Sequence, residues 1–208
     1  MYPGEKLNSI THLVGAALAL VGLGALLTVS IQERDPYLIS SFTIFGGTLV
    51  LLYTMSTLYH SFHPPRLKKV FQKLDHVSIY LLIAGTYTPY MLVTLREHGG
   101  LLMLSLIWVM AIIGVLMDTL LKKRNELLQV SIYLIMGWVC TLHIGDLNML
   151  LGHSGLIWLS GGGVLYTIGI VFYILDNLQK LPYAHGIWHL FVLSGSVCHF
   201  VSIAAYVR

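Results

Sequence analysis

The chain has 208 residues, of which 56% are hydrophobic and only 10% are charged, and its mean hydropathy is +0.78. Soluble domains carry roughly a quarter of charged residues, so this composition excludes an ordinary soluble enzyme and a disordered protein. Twelve lysines and arginines and a net charge of +3 provide no broad basic surface, which excludes a nucleic-acid-binding protein.

Charged and proline-containing breaks divide the chain into seven long apolar segments. A membrane-spanning helix needs about 20 mostly apolar residues, and the segments lack the strict alternation of barrel strands. We therefore predict an all-α integral membrane protein, a bundle of seven transmembrane helices that forms a single domain over residues 1–208. Such a protein crosses the plasma or inner membrane several times. In chain order, the predicted helices are 8–31, 38–62, 75–95, 99–121, 127–150, 154–177 and 184–207.

The basic residues between these segments predict the orientation of the bundle. If the N-terminus is cytoplasmic, the inner side holds nine lysines and arginines and the outer side holds three. Because cytoplasmic loops are enriched in these residues, we predict a cytoplasmic N-terminus and an extracytoplasmic C-terminus. The inner set is Lys6, Arg66, Lys68, Lys69, Lys73, Lys122, Lys123, Arg124 and Lys180, and the outer set is Arg34, Arg96 and Arg208.

Ionisable side chains inside the predicted helices collect near one membrane face. An ionisable group at mid-membrane costs on the order of 2.5–3.5 kcal/mol, so it usually has a partner or a function. A helix rises about 1.5 Å per residue, which places five such groups within roughly two turns of the inner face. They are His12 in helix 1, His60 near the end of helix 2, Asp75 at the start of helix 3, and His185 and His189 at the start of helix 7.

The spacing of these residues indicates a metal site at the inner face. His185 and His189 lie four residues apart on one helix face, as do Ser56 and His60. Three histidines would leave one position open on a zinc ion, which is typical of catalytic zinc. Asp75 could then hold or deprotonate a water on the metal, and Ser56 could donate a hydrogen bond.

Other polar residues of these helices have less specific interpretations. Residues on one stripe of helix 1 are suited to orient metal ligands by contacting them; these residues are Glu5, Asn8 and His12. In the outer halves of helices 5 and 7, either a second polar cluster or ordinary interhelical hydrogen bonds would account for His143, Asp146 and His199.

Taken together, these motifs resemble those of the bacterial hemolysin III proteins. That family is related to the progestin and adipoQ receptors, which include the adiponectin receptors, and more distantly to the alkaline ceramidases. The shared pattern is an acidic–Asn–His stretch that opens helix 1, Ser-x-x-x-His that closes helix 2, an Asp that opens helix 3, and His-x-x-x-His that opens helix 7. The resemblance implies an inner-face zinc bound by His60, His185 and His189, with Asp75 in contact with the water on the zinc.

The leading hypothesis is a zinc-dependent hydrolase of the membrane, similar to a ceramidase, that acts on a lipid amide or ester. Whether the protein is an enzyme at all stays open, as do the identity of the divalent metal and the oligomeric state. Membrane lipids are the predicted partners, and no nucleic acid is expected. The alternatives are a receptor-like or membrane-homeostasis protein with structural zinc, a membrane-lytic hemolysin, and a haem protein with two histidine ligands.

Overall fold

A computed structural model describes residues 4–121 and 125–208, and these residues fold into helices with no β-strand among them. The basic residues Lys122, Lys123 and Arg124, used above to predict orientation, lie outside the described ranges. A π-helical turn, Tyr90–Thr94, follows α3, and a 3₁₀ turn, Val139–His143, follows α5. The helices are α1 (Lys6–Glu33), α2 (Pro36–Ser61), α3 (Pro65–Pro89), α4 (Gly100–Leu120), α5 (Glu126–Trp138), α6 (Ile144–Asn177) and α7 (Ala184–Tyr206).

Local sequence explains where several helices begin. The Asp35 carboxylate accepts hydrogen bonds from the backbone N–H groups of Tyr37 and Leu38, which caps α2, and Pro36 occupies its first position. In the same way, the Asn125 side chain caps α5. Proline is well tolerated at the first helical position because its missing N–H would have had no helical partner there.

Six helical runs among the described residues are long and apolar enough to cross a membrane. This confirms the prediction of an all-α membrane protein. Where two helices were predicted at 127–150 and 154–177, the structure has one helical run, Glu126–Asn177, which a non-helical backbone conformation interrupts at Gly152. The six runs are Lys6–Glu33, Pro36–Ser61, Pro65–Thr94, Gly100–Leu120, Glu126–Asn177 and Ala184–Tyr206.

The long run from Glu126 to Asn177 folds back on itself. The indole Nε1 of Trp138 donates to Thr167 Oγ1 over 3.0 Å, whereas 29 residues of straight helix would separate them by about 43 Å. Gly152, between them, has φ 69° and ψ 168°, a backbone conformation outside the helical region and open essentially to glycine alone. The chain therefore reverses direction between Trp138 and Thr167.

The third helix begins ten residues earlier than the predicted 75–95. It starts at Pro65, and its first turns contain basic residues that precede the apolar segment used for the prediction. At its other end, Pro89 lacks the N–H that would bond to the preceding turn, and the π-helical turn Tyr90–Thr94 takes up the disruption.

Four chain segments meet at one end of the bundle, which we call the His60 end. Ser9 near the start of α1 contacts Ser61 at the end of α2, with 2.6 Å between their hydroxyl oxygens. The end of α6 reaches the start of α7, where Asp176 pairs with His185. Helices α1 and α7 also approach closely, since a Cβ on Gly186 would lie only 2.4 Å from a methyl carbon of Leu7. A larger residue than glycine at position 186 would therefore require the Leu7 side chain to move.

Candidate metal site

Three histidines from α2 and α7 converge at the His60 end. One nitrogen from each of His60, His185 and His189 lies within 4.8 Å of the others. Their ring centroids are 4.8–5.0 Å apart. His60 and His189 are buried and His185 is partly buried. The three side chains are thus close enough to bind one metal ion.

An oxygen atom fixes the orientation of each ring. His60 Nδ1 lies 2.6 Å from Glu5 Oε2, His185 Nδ1 lies 3.0 Å from Asp176 Oδ2, and His189 Nδ1 lies 3.1 Å from the backbone carbonyl oxygen of Asn8. Carboxylate and carbonyl oxygens only accept hydrogen bonds, so each Nδ1 carries the proton and donates it. In the neutral ring, Nε2 then keeps its lone pair, as in protein zinc sites.

Several buried polar atoms at this point have no hydrogen-bond partner among the described residues. They include Nε2 of His60, Nε2 of His189 and the hydroxyl oxygen of Ser56. Each buried polar group without a partner costs about 1–3 kcal/mol. A metal ion would engage the two nitrogens, and a water or substrate bound beside it would engage the Ser56 hydroxyl. The donor set, three neutral imidazoles, fits zinc.

Glu5 connects α1, α2 and α3 at the edge of the site. Its carboxylate accepts hydrogen bonds from His60 Nδ1, from Asn8 Nδ2 at 2.8 Å and from Lys68 Nζ at 3.4 Å. The hydrogen bond from His60 is the largest cause that lowers the pKa of Glu5 to about 2, and burial opposes the shift. Glu5 is therefore ionised at neutral pH. Its negative charge can stabilise a positive charge on the His60 ring or on a metal ion bound by that ring.

His12 contacts the site through its ring face. It stacks on His189 with centroids 3.6 Å apart and 12° between the planes, and its ring packs edge to face against Tyr53 at 5.0 Å. Neither ring nitrogen has a hydrogen-bond partner among the described residues. Of the three helix 1 residues predicted to orient metal ligands, Glu5 and Asn8 form hydrogen bonds with His60 and His189, whereas His12 contacts His189 by stacking.

A mostly apolar cavity of about 170 Å³ lies between the helices, beside the His12 ring that stacks on His189. His12 and Asp75 are among its lining residues, together with aromatic and aliphatic side chains such as Trp188, Tyr166 and Leu52. Asp75 is only 4% exposed. Three of the polar residues named from the sequence, Asp75, His12 and His199, thus line one apolar space that a lipid chain could enter.

Asp176 was missed by the sequence interpretation although it contacts His185. Its only signal was its position, as the last acidic residue before the break that precedes helix 7.

The predicted outer residues form no common cluster: His143 pairs with Asp146 at 3.2 Å, while His199 Nε2 donates to the carbonyl oxygen of Leu159 at 3.2 Å. For His199, an interhelical hydrogen bond is the correct alternative.

Comparison with known proteins places the whole chain in one family. The family model for proteins described as "Haemolysin-III related" matches residues 2–200. The chain belongs to the haemolysin-III-related family. This result confirms the resemblance drawn from the helix motifs.

Relatives of this haemolysin-III-related protein occur in bacteria and animals. The Hemolysin-3 of Bacillus cereus is 41% identical over 203 residues, which cover 98% of this chain and 91% of the relative. The human monocyte to macrophage differentiation factor is 32% identical and covers 96% of this chain and 82% of its own length. An adiponectin receptor protein of Drosophila melanogaster is 23% identical, covering 96% of this chain and 50% of the relative. No solved structure matches the chain significantly.

Proposed function

We propose that this membrane protein is a zinc-dependent hydrolase that cleaves an amide or ester bond of a lipid, similar to a ceramidase. The observation that carries the proposal is the convergence of three histidines whose Nδ1 protons are all donated to oxygen atoms. This arrangement leaves the Nε2 lone pair of each neutral ring available to a metal ion, and His12, which stacks on His189, lines an apolar cavity.

In this proposal, His60, His185 and His189 would hold the zinc, and Glu5, Asp176 and the Asn8 carbonyl would hold the rings. Bound zinc lowers the pKa of water to near 7 and polarises a carbonyl group.

Two further residues would act on the substrate and the attacking water. Asp75 is buried and lines the cavity, which suits a carboxylate that accepts a proton from water. Ser56 lies one helical turn before His60, and its buried hydroxyl would donate to the carbonyl oxygen of the substrate.

The cavity supports a lipid as the substrate class. Its aromatic and aliphatic walls match an acyl chain, and its polar lining includes Asp75 and His12, the latter stacked on His189. An amide or ester carbonyl near these groups would leave the chain in apolar surroundings, as is typical of ligand sites with few polar groups.

We also propose that the run Glu126–Asn177 forms two spans, so that the bundle has seven. The contact between Trp138 and Thr167 supports this, since it requires a reversal of the chain. So do the contacts that pair the later part of α6 antiparallel with α7, from Asp176–His185 at one end to Gly155–Ser202 at the other. Seven spans with a cytoplasmic N-terminus put the His60 end on the inner side of a plasma or inner membrane.

The decisive experiment is Asp75→Asn in the purified full-length protein. Asparagine has the same size and still forms hydrogen bonds, but it cannot accept a proton. We expect the variant to keep its zinc, measured by elemental analysis, and to lose hydrolysis by about 10²–10⁴-fold. Activity is measured as fatty acid released from a long-chain ceramide and from a matched ester. Wild-type activity in a zinc-loaded Asp75→Asn protein would contradict the hydrolase mechanism.

A second candidate function is a receptor-like or membrane-homeostasis protein in which zinc braces the helices. One observation favours it: the three rings and their oxygen partners join α1, α2, α6 and α7 at a single point. In that case chelation would lower the thermal stability strongly, and Asp75→Asn would leave the biological function intact. The hydrolase requires instead that zinc removal abolish activity even under conditions in which the fold survives.

A further inference from the structure

Helix α3 is longer than the membrane requires at the His60 end. With the π-helical turn it forms a run of 30 residues, about 45 Å of helix, whereas the hydrocarbon core is about 30 Å thick. The 20 residues from 75 to 94 already suffice to cross the core. The residues 65–74, which we call the α3 extension, therefore lie at the level of the lipid headgroups.

Two neighbouring stripes run along the α3 extension. Arg66, Lys69 and Lys73 are spaced by three and four residues and are all exposed, so they form a cationic stripe on one helix face. One residue further on, an apolar stripe has the same spacing and is also exposed. Its members are Leu67 at 44% exposure, Val70 at 53% and Leu74 at 40%.

Contacts within the protein do not account for the cationic stripe. Arg66 and Lys69 have no ion pair or hydrogen bond from their side chains to any residue in the described ranges, and Lys73 donates only to the backbone carbonyl of Thr119, at 2.9 Å. The neighbouring Lys68 differs, because its Nζ turns inward to Glu5.

The helix itself does not account for these cations either. The N-terminal end of a helix carries partial positive charge, so basic residues in the first turns cost stability. The preference of cytoplasmic loops for lysine and arginine explains basic residues at this end, but it does not explain their arrangement as a stripe beside an exposed apolar stripe.

We propose that the α3 extension binds an anionic phospholipid, with the phosphate against the cationic stripe and the upper part of an acyl chain against the apolar stripe. The charge is complementary, and the exposed apolar stripe lies one residue further round the same helix, beside the cations. Each lysine or arginine near an anionic membrane surface contributes about fivefold in affinity. A zwitterionic headgroup lacks the net negative charge that this stripe would recognise.

The test measures lipid binding by the full-length protein in detergent, with phosphatidylglycerol and phosphatidylcholine as the two probes. We expect Arg66→Gln/Lys69→Gln to weaken phosphatidylglycerol binding by about 25-fold and to leave phosphatidylcholine binding unchanged. The matched control is Lys6→Gln/Lys180→Gln, which removes two exposed charges at the same end but outside the α3 extension. The control should lose much less affinity, because charges outside a binding site act only through the screened field.

Three results would overturn the proposal. Equal losses in the two double variants would mean that diffuse charge attracts the lipid. Equal affinity of the wild-type protein for both lipids would mean that the cationic stripe recognises no anion. If Leu67→Ser/Val70→Ser changed the oligomeric state, measured by light scattering, and left phosphatidylglycerol affinity unchanged, the apolar stripe would instead belong to an interface between copies of this chain.

Discussion

Replacing the carboxylates that hold the histidine rings should weaken zinc binding in a graded way. Glu5→Gln and Asp176→Asn keep an oxygen that can accept the Nδ1 hydrogen bond, but both remove a negative charge. Loss of such partners costs typically 10–100-fold in metal affinity. Glu5 lies 2.6 Å from a fully buried histidine and is itself 24% exposed, whereas Asp176 is 37% exposed and 3.0 Å from a partly exposed one. Water screens exposed pairs more strongly, so we expect about 100-fold for Glu5→Gln and about 10-fold for Asp176→Asn.

The assay is a competitive titration with a zinc-binding dye on purified protein in detergent. Asp146→Asn serves as the matched control, because it disrupts a similar carboxylate–histidine pair, His143–Asp146, outside the histidine cluster. It should leave zinc affinity unchanged. Unchanged affinity in Glu5→Gln, or a loss of equal size in Asp146→Asn, would refute the argument that these carboxylates tune the ligands.

Three further predictions follow from the fold and the site. Alanine in place of any one of the three clustered histidines should strongly lower zinc content in elemental analysis, whereas His98→Ala and His153→Ala should not. A reporter fused after Arg208 should be active only outside the cytoplasm, and cytoplasmic activity would contradict seven spans. Gly152→Ala should destabilise the protein by about 1–3 kcal/mol in thermal unfolding. Gly145→Ala, at a helical site with open space, should not destabilise it, and equal melting of the two variants would count against strain at Gly152.

Much of the fold could be predicted from sequence because membrane helices are encoded by long runs of apolar residues. The predicted bounds of helices 1, 2, 4 and 7 differ from those in the structure by at most two residues at each end. The histidine cluster was also predictable, since the helical repeat fixes which residues share a face and span length fixes their depth. Residues four positions apart share a helix face, so the sequence alone places Ser56 beside His60 and His185 beside His189, without any knowledge of packing.

The features that were missed depend on backbone geometry or on contacts between distant segments. Hydrophobicity cannot show that α3 starts at Pro65, because its first ten residues are helical yet mostly polar or exposed. The 3₁₀ turn Val139–His143 lies within an apolar stretch that contains no proline or charged residue. Asp176 is an ordinary acidic residue at a helix end until the fold brings it to His185, nine positions further along the chain.

The charges around the histidine cluster explain why a divalent ion suits it. Three neutral imidazoles leave both positive charges of a bound zinc uncompensated, and a net charge in a membrane protein interior is costly. Glu5 and Asp176 each accept a hydrogen bond from the Nδ1–H group of a clustered histidine, so as carboxylates they would supply two negative charges one ring away from a bound metal. Both carboxylates lie at the His60 end and are partly exposed, whereas Nε2 of His60 and of His189 is buried. In the proposed zinc hydrolase, this arrangement would balance a charge of +2 without placing an ionised carboxylate in direct contact with the metal, which would keep the metal electrophilic enough to act on a carbonyl group.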